Sequence, residues 1–265
     1  MLYSYLVDLN GEERIYCFDA VQGICEKTKI SEKNVLKDAT DKFFVYTAEN
    51  TVKMIALNKK SQLVYMIYKE HKWNSYVIST VKKNIEIKKI MVATNGKNEN
   101  LFYSANVNGE MVLVHCVLGN NAMPSVIAKL CDEEFFLFRK CVYYSDENNI
   151  IGYQSFQDSK PDRFIPCCEG ESPYLVDKKI VYKKDNDIFV NNKKICSDKN
   201  VKMPILVNGL LMWRNESYIR YIAENSKIRQ YISSGIEPQI FVRADENECL
   251  YYYGTFSNGK LNIFS

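Results

Sequence analysis

The 265 residues carry 35 Lys and Arg against 32 Asp and Glu, a formal charge of +3, with 46% hydrophobic and 13% aromatic residues, Tyr alone numbering 19. Such a chain has the apolar content for a core and falls outside the disordered class. Its Lys pairs at Lys59/Lys60, Lys82/Lys83, Lys88/Lys89, Lys178/Lys179, Lys183/Lys184 and Lys193/Lys194 are scattered as turn and strand-edge residues, without the single-sign stripe of a nucleic-acid binder.

From the N-terminus, "MLYSYLVDLNGEERIYCFD" (1–19) has no basic n-region and meets Asp8, Glu12 and Glu13 early, so it does not read as a signal peptide. No stretch reaches the ~18 uncharged apolar residues that cross a bilayer. A cytoplasmic protein without membrane insertion is expected. There the nine cysteines, Cys17, Cys25, Cys116, Cys131, Cys141, Cys167, Cys168, Cys196 and Cys249, serve as small core hydrophobes.

Asp41 to Thr80 reads as a set of long strands, and Asn100 to His115, "NLFYSANVNGEMVLVH", follows with Tyr103 in its first run. Phe135 to Gly152, "FFLFRKCVYYSDENNIIG", aligns with Pro173 to Val190, "PYLVDKKIVYKKDNDIFV", at an offset of 38, placing Leu137 on Leu175, Val142 on Ile180, Tyr144 on Tyr182 and Ile150 on Ile188. The latter aligns in turn with Pro204 to Tyr221, "PILVNGLLMWRNESYIRY", at an offset of 31, so Pro173 meets Pro204, Val176 meets Val207, Tyr182 meets Trp213 and Ile188 meets Ile219. The pattern restarts after Pro238, and the ends, Leu2 to Asp19 and Leu250 to Ser265, resemble one another. Within a unit the runs are short, rich in Ile, Val, Tyr and Phe, and broken by "NG", "DEN" or "KDND". Each unit therefore reads as four strands, in one unit Ile205–Val207, Leu210–Arg214, Tyr218–Ala223 and Lys227–Ile232, with little helix anywhere.

Four strands in ~40 residues, repeated six or seven times, resemble a β-propeller. The chain looks most like divergent, tyrosine- and lysine-rich bacterial propellers that carry no assigned activity. It has no Trp-Asp dipeptide, no Ser-x-Asp-x-Gly-x-x-Trp box and no Tyr-Trp-Thr-Asp run. The resemblance implies an all-β fold, one domain over residues 1–265 of about seven four-stranded blades. Strands from both termini would close it, and six blades are the alternative. Its eleven glycines are few for that fold, which leaves stacked sandwiches or a solenoid as another arrangement.

Chemistry is sparse. His71 and His115 fit no metal spacing, and adjacent His115 and Cys116 point to opposite faces of a strand. The vicinal Cys167–Cys168 has no basic residue within three positions to lower a thiol pKa. No nucleophile elbow or phosphate-cradling glycine motif occurs. Carboxylates near strand ends, Asp132, Asp146, Asp177, Asp185, Asp187 and Asp245, are read first as turn residues, and only by convergence across blades as an acid site or a calcium site. Tyr103, Tyr144, Tyr182 and Trp213 recur in register as core packing, and the run Tyr251 to Tyr253 must present rings to both faces of its strand. Trp73, opening an outer strand, is a candidate partner contact. Asn215 to Ser217 matches a glycosylation acceptor but is read as a turn.

With no catalytic, cofactor or metal constellation legible, the expected role is a non-enzymatic intracellular scaffold, monomeric, presenting loops to a protein or peptide partner. The alternatives are a carboxylate-based hydrolase or lyase, or a carbohydrate-binding propeller, with the site at the central channel.

Overall fold

The computed structural model describes residues 4–9, 11–95, 98–119, 123–156, 162–207, 209–215, 218–223, 229–233, 239–244, 249–257 and 260–263. Every regular element among them is a strand. The first group comprises β1 (Ser4–Leu9), β2 (Glu12–Asp19), β3 (Gly23–Lys27) and β4 (Glu32–Leu36), and the second β5 (Ala39–Ala48), β6 (Thr51–Asn58), β7 (Gln62–Lys69) and β8 (Lys72–Thr80). Then come β9 (Ile85–Asn95), β10 (Asn98–Val107), β11 (Glu110–Val117) and β12 (Ser125–Phe138), continuing into β13 (Cys141–Asp146), β14 (Ile150–Ser155) and β15 (Ile165–Glu169). β16 (Glu171–Val176), β17 (Lys179–Lys184), β18 (Asp187–Val190) and β19 (Lys193–Ser197) precede β20 (Val201–Val207), β21 (Leu210–Asn215), β22 (Tyr218–Ala223) and β23 (Arg229–Ser233). The last group is β24 (Gln239–Ala244), β25 (Cys249–Ser257) and β26 (Lys260–Ile263).

Consecutive strands pair antiparallel within three four-stranded sheets, β5–β8, β16–β19 and β20–β23, and two seven-stranded ones, β9–β15 and β26-β25-β24-β1-β2-β3-β4. The longer sheets are joins of the same unit. β12 pairs with β11 through Ser125–Lys129 and, beyond a break in register, with β13 through Phe135–Phe138. Its first half is thus the fourth strand of one unit and its second half the first strand of the next. The chain's ends meet where β1 and β24 run parallel, Ser4 opposite Phe241 and Tyr5 opposite Val242. First strands of successive units touch in order, β1 to β5, β9, β12, β16 and β20, and β25 touches β20.

Units without glycine-rich turns need another way to reverse direction. Two-residue hairpins of type I′ require both central residues at positive φ. Here those places are taken by Glu49-Asn50, Glu70-His71, Arg139-Lys140, Asp177-Lys178 and Asn191-Asn192, all at φ between 47° and 66°. This is why so few glycines suffice, each such residue costing about 1–2 kcal/mol relative to glycine in that region.

One buried apolar cluster draws on every sheet, from Tyr5 through Phe44, Phe102, Phe136, Val181 and Trp213 to Tyr251. The recurring aromatics lie in second strands and are buried there, as read from the sequence. Burial of an O–H or N–H requires a partner, and three of the four have one: Tyr144 donates to Gln154 Oε1 at 3.0 Å, Tyr182 to Asn192 Oδ1 at 3.0 Å, and the Trp213 indole to Asp198 Oδ2 at 2.7 Å. Asp198 also accepts from Arg220.

Candidate functional site

Five first strands break register near their start: at Thr40–Lys42 in β5, Lys88 in β9, Cys131–Glu134 in β12, Ser172-Pro173 in β16 and Met203-Pro204 in β20. Bulges of this kind bend a strand and re-aim its side chains, and Ser172 and Met203 adopt φ of 53° and 49°. The bulged residues gather at one end of the ring of first strands. Asp41, Lys42, Lys88, Lys89, Glu133 and Glu134 there line a cavity of about 60 Å³, walled deeper by Tyr5, Phe43, Ile90 and Val242.

Three acids converge, the condition for a carboxylate site, but two are already engaged. Lys89 Nζ lies 2.6 Å from Glu134 Oε2, the pair only 13% and 15% exposed, and 5.4 Å from the Phe135 ring centre. Lys42 lies 3.2 Å from Asp41, and Lys88 2.6 Å from Glu86. Cross-unit bonds reinforce the rim: Tyr5 donates to the Phe43 carbonyl at 2.9 Å and Ser104 to the Glu133 carbonyl at 2.7 Å. Behind it, Asp132 accepts from the Ser172 hydroxyl at 2.6 Å and from the Glu134 backbone N–H at 3.1 Å, linking β12 to β16. Burial pushes its carboxyl up to about 6, opposed by these bonds and by Lys183 and helped by Glu134. The mouth has room for water rather than a sugar ring, since ligand pockets run to about 300 Å³ and more.

At the opposite end of the first strands, where they turn into the second, lies a cleft of about 340 Å³. Tyr174, Tyr251 and Tyr252 wall it with Leu206, Val207 and Leu250, while Asp177 and Lys179 stand at the β16–β17 turn. Tyr174 and Tyr251 meet edge to face at 5.1 Å and 90°, an arrangement favoured by the ring quadrupoles. Of the tyrosine run in β25, Tyr251 is buried in the main core and Tyr252 packs, half-buried, against a separate small cluster of Leu6 and Ile15; the Tyr253 side chain lies outside the described ones.

The other candidates are dispersed. Asp146 closes a turn by accepting from the N–H groups of Asn148 and Ile150, both at 2.9 Å. Asp177 and Asp185 sit in turns at positive φ, and Asp187 pairs with Lys194 at 2.7 Å, which holds its carboxyl below the usual range. Asp245 lies outside the described residues, as does Ser217 of the glycosylation-like triplet. His115 is buried on Phe102, its Nε2 2.9 Å from Asn100 Oδ1, and burial lowers its pKa; His71 is an exposed turn residue. Cys167 is exposed and Cys168 half-buried, and burial raises both thiols, Cys168 to about 11. No group of three or more His, Cys, Asp or Glu able to hold a metal occurs among the described residues. Trp73 is half-buried, its ring 5.8 Å from Tyr16 and 5.4 Å from Tyr68, so much of it joins the first unit to the second.

The mouth was not foreseen, although its signal is present. In "DKFFVY", "KKIMVA", "EEFFLF", "SPYLV" and "MPILV" each first-strand apolar run is preceded by a charged pair or an X-Pro step. Aligning those short prefixes, rather than the turns, would have located it.

No family model matches the chain, and no curated protein does. Solved structures do. A CNH domain, AfRom2, superposes with a TM-score of 0.59 at 10% identity over 96% of this chain and 93% of that one. BBS1N, solved in complex with ARL6DN, gives 0.54 at 11% over 96% and 88%. The lectin of Aleuria aurantia bound to α-methyl-L-fucoside, a six-bladed β-propeller, gives 0.50 at 11% over 95% and 86%. At such identities the likeness speaks to the fold alone: the protein is a β-propeller. It is a divergent one, in which the usual propeller sequence signatures are absent.

Proposed function

We propose that the chain forms a single ring of seven units over residues 1–265, the last with three described strands, which binds a protein or peptide partner without turning it over. The parallel contact of β1 with β24 supports a closure in which each terminus keeps its own unit. The observation that carries the binding role is the cleft of about 340 Å³ walled by Tyr174, Tyr251 and Tyr252. Half-buried Tyr252 offers the contact area at low conformational cost that tyrosine supplies, and Tyr174 and Tyr251, buried in the wall, make it rigid. Solved propellers of similar fold include one in complex with a protein, ARL6DN.

A carbohydrate is the second reading of the same cleft, favoured by tyrosines beside a carboxylate and an ammonium group and by the fucoside-bound lectin of similar fold. The test is affinity capture at ~0.15 M salt, where screening removes weak charge contacts, with wild type and the rim-reversed Asp177→Lys/Lys179→Glu variant, alongside a glycan array. A stoichiometric protein lost with the variant supports the first reading. Glycan binding lost with it supports the second, and capture unchanged by the variant refutes the cleft as the site.

A further inference from the structure

Propellers must guard the outer edge of every unit, because an unpaired strand edge is a template for pairing. Among the described outer strands, that of the β9–β12 unit is the first half of β12, which leaves Val126 61% exposed but carries Lys129 and runs on into the next unit; β8 is the longest and least guarded. β4 begins with Glu32 and Lys33, β15 contains Pro166, β19 begins with Lys193 and Lys194, β23 with Arg229 and β26 with Lys260, and none exceeds five residues. β8 has nine residues, no proline, and Lys72 at its first position as its only charge. Its register runs unbroken from Lys72 to Val77 before the slip at Ile78. Tyr76 and Val77, which point to opposite faces, are 59% and 57% exposed, so the middle of the strand stands clear on both faces, while Trp73 and Ile78 nearer its ends pack against the core.

The charges around this edge select its occupant. Between Lys59 and Lys83 there are six lysines, Lys59, Lys60, Lys69, Lys72, Lys82 and Lys83, and one acid, Glu70. The salt bridges of this unit engage Lys42 and Lys53 instead. Lys69 and Lys72 mark one end of β8. Lys82 and Lys83 follow the other, and Lys59 and Lys60 lie in the turn beside it, where Gln62 faces Thr80. Antiparallel pairing of two copies through β8 would bring these basic ends together, so a second copy is disfavoured. We propose that β8 accepts, as an added strand, an extended peptide segment of a partner protein with an alternating apolar centre and Asp or Glu at both flanks. Backbone bonds supply affinity in this mode, and side chains supply the register. The proposal goes beyond the tyrosine cleft and does not depend on it.

The test pans a displayed library of random peptides against the full chain and measures the enriched peptides by titration on wild type and on Tyr76→Lys/Val77→Lys, which changes two exposed side chains. Expected are acid-flanked, alternating peptides that bind the variant about tenfold or more weakly, lose binding when a central residue becomes Pro, and weaken as salt rises. Peptides that bind the variant equally well overturn the β8 site while leaving partner binding elsewhere intact. A library that enriches nothing counts against both. Peptides that need Tyr76 and Val77 but lack acidic flanks refute the charge selection, and a dimer in sedimentation that dissolves in the variant makes the occupant a second copy.

Discussion

Asp132 gives the sharpest test of the mouth. Its carboxyl, ordinarily near 3.8, is raised to about 6 by burial. A raised carboxylate binds its proton more tightly folded than unfolded, so stability from this group is present below about pH 4 and lost as pH rises to about 6. At about 1.4 kcal/mol per pH unit the loss is about 3 kcal/mol. Asp132→Asn keeps the shape: its Oδ1 still accepts from the Glu134 N–H, and its amide can donate to the Ser172 hydroxyl. The variant lacks only the charge that must be desolvated. Urea unfolding of both proteins from pH 4 to pH 8 should show the variant gaining stability relative to wild type across pH 4 to 6 and holding the gain above. A difference that does not change with pH, or a variant that loses ground as pH rises, refutes the burial argument.

Three further outcomes follow from the packing. Replacing Arg139-Lys140, both at positive φ, by Asn-Gly should stabilise by about 1 kcal/mol or more, read as a rise of about 2–4 °C in calorimetric Tm. Gly152→Ala would place a Cβ 2.4 Å from the Ile165 carbonyl oxygen and 2.5 Å from the Phe164 ring. Because β14 and β15 must part to admit it, it should cost about 1–3 kcal/mol in denaturant midpoint; an unchanged midpoint would show the strands free to separate. Trp213→Phe keeps a buried ring but removes the donor to Asp198, for about 1–3 kcal/mol. If Trp213→Phe costs as much in an Asp198→Ala background as alone, the loss came from packing rather than from the bond to Asp198, whose carboxylate keeps its pair with Arg220.

Local information in the chain was enough for the strands and for their grouping. The run from Leu210 to Arg214 became β21 and that from Tyr218 to Ala223 became β22 at nearly the expected bounds, because β-branched and aromatic runs between turn residues have few other ways to satisfy their backbone. The alignment of Tyr144, Tyr182 and Trp213 likewise foretold buried, equivalent positions. Glycine content misled in its emphasis, since residues such as Arg139 and Lys140 take the left-handed turn conformation when paired strands hold them there.

What only the tertiary structure decided concerns residues far apart in sequence. Asp132 and Ser172, or Lys89 and Glu134, meet because β9, β12 and β16 lie side by side in successive units. The tyrosine cleft likewise needs β16, β20 and β25 side by side. The exposure of β8 was equally hidden: a strand's composition shows that it can pair, but whether another strand already covers its edge depends on where the ring leaves it. The sequence by itself determined the unit and its buried stripe, because those depend on neighbours a few residues away. The mouth, the cleft and the open edge depend on how units are placed around the ring.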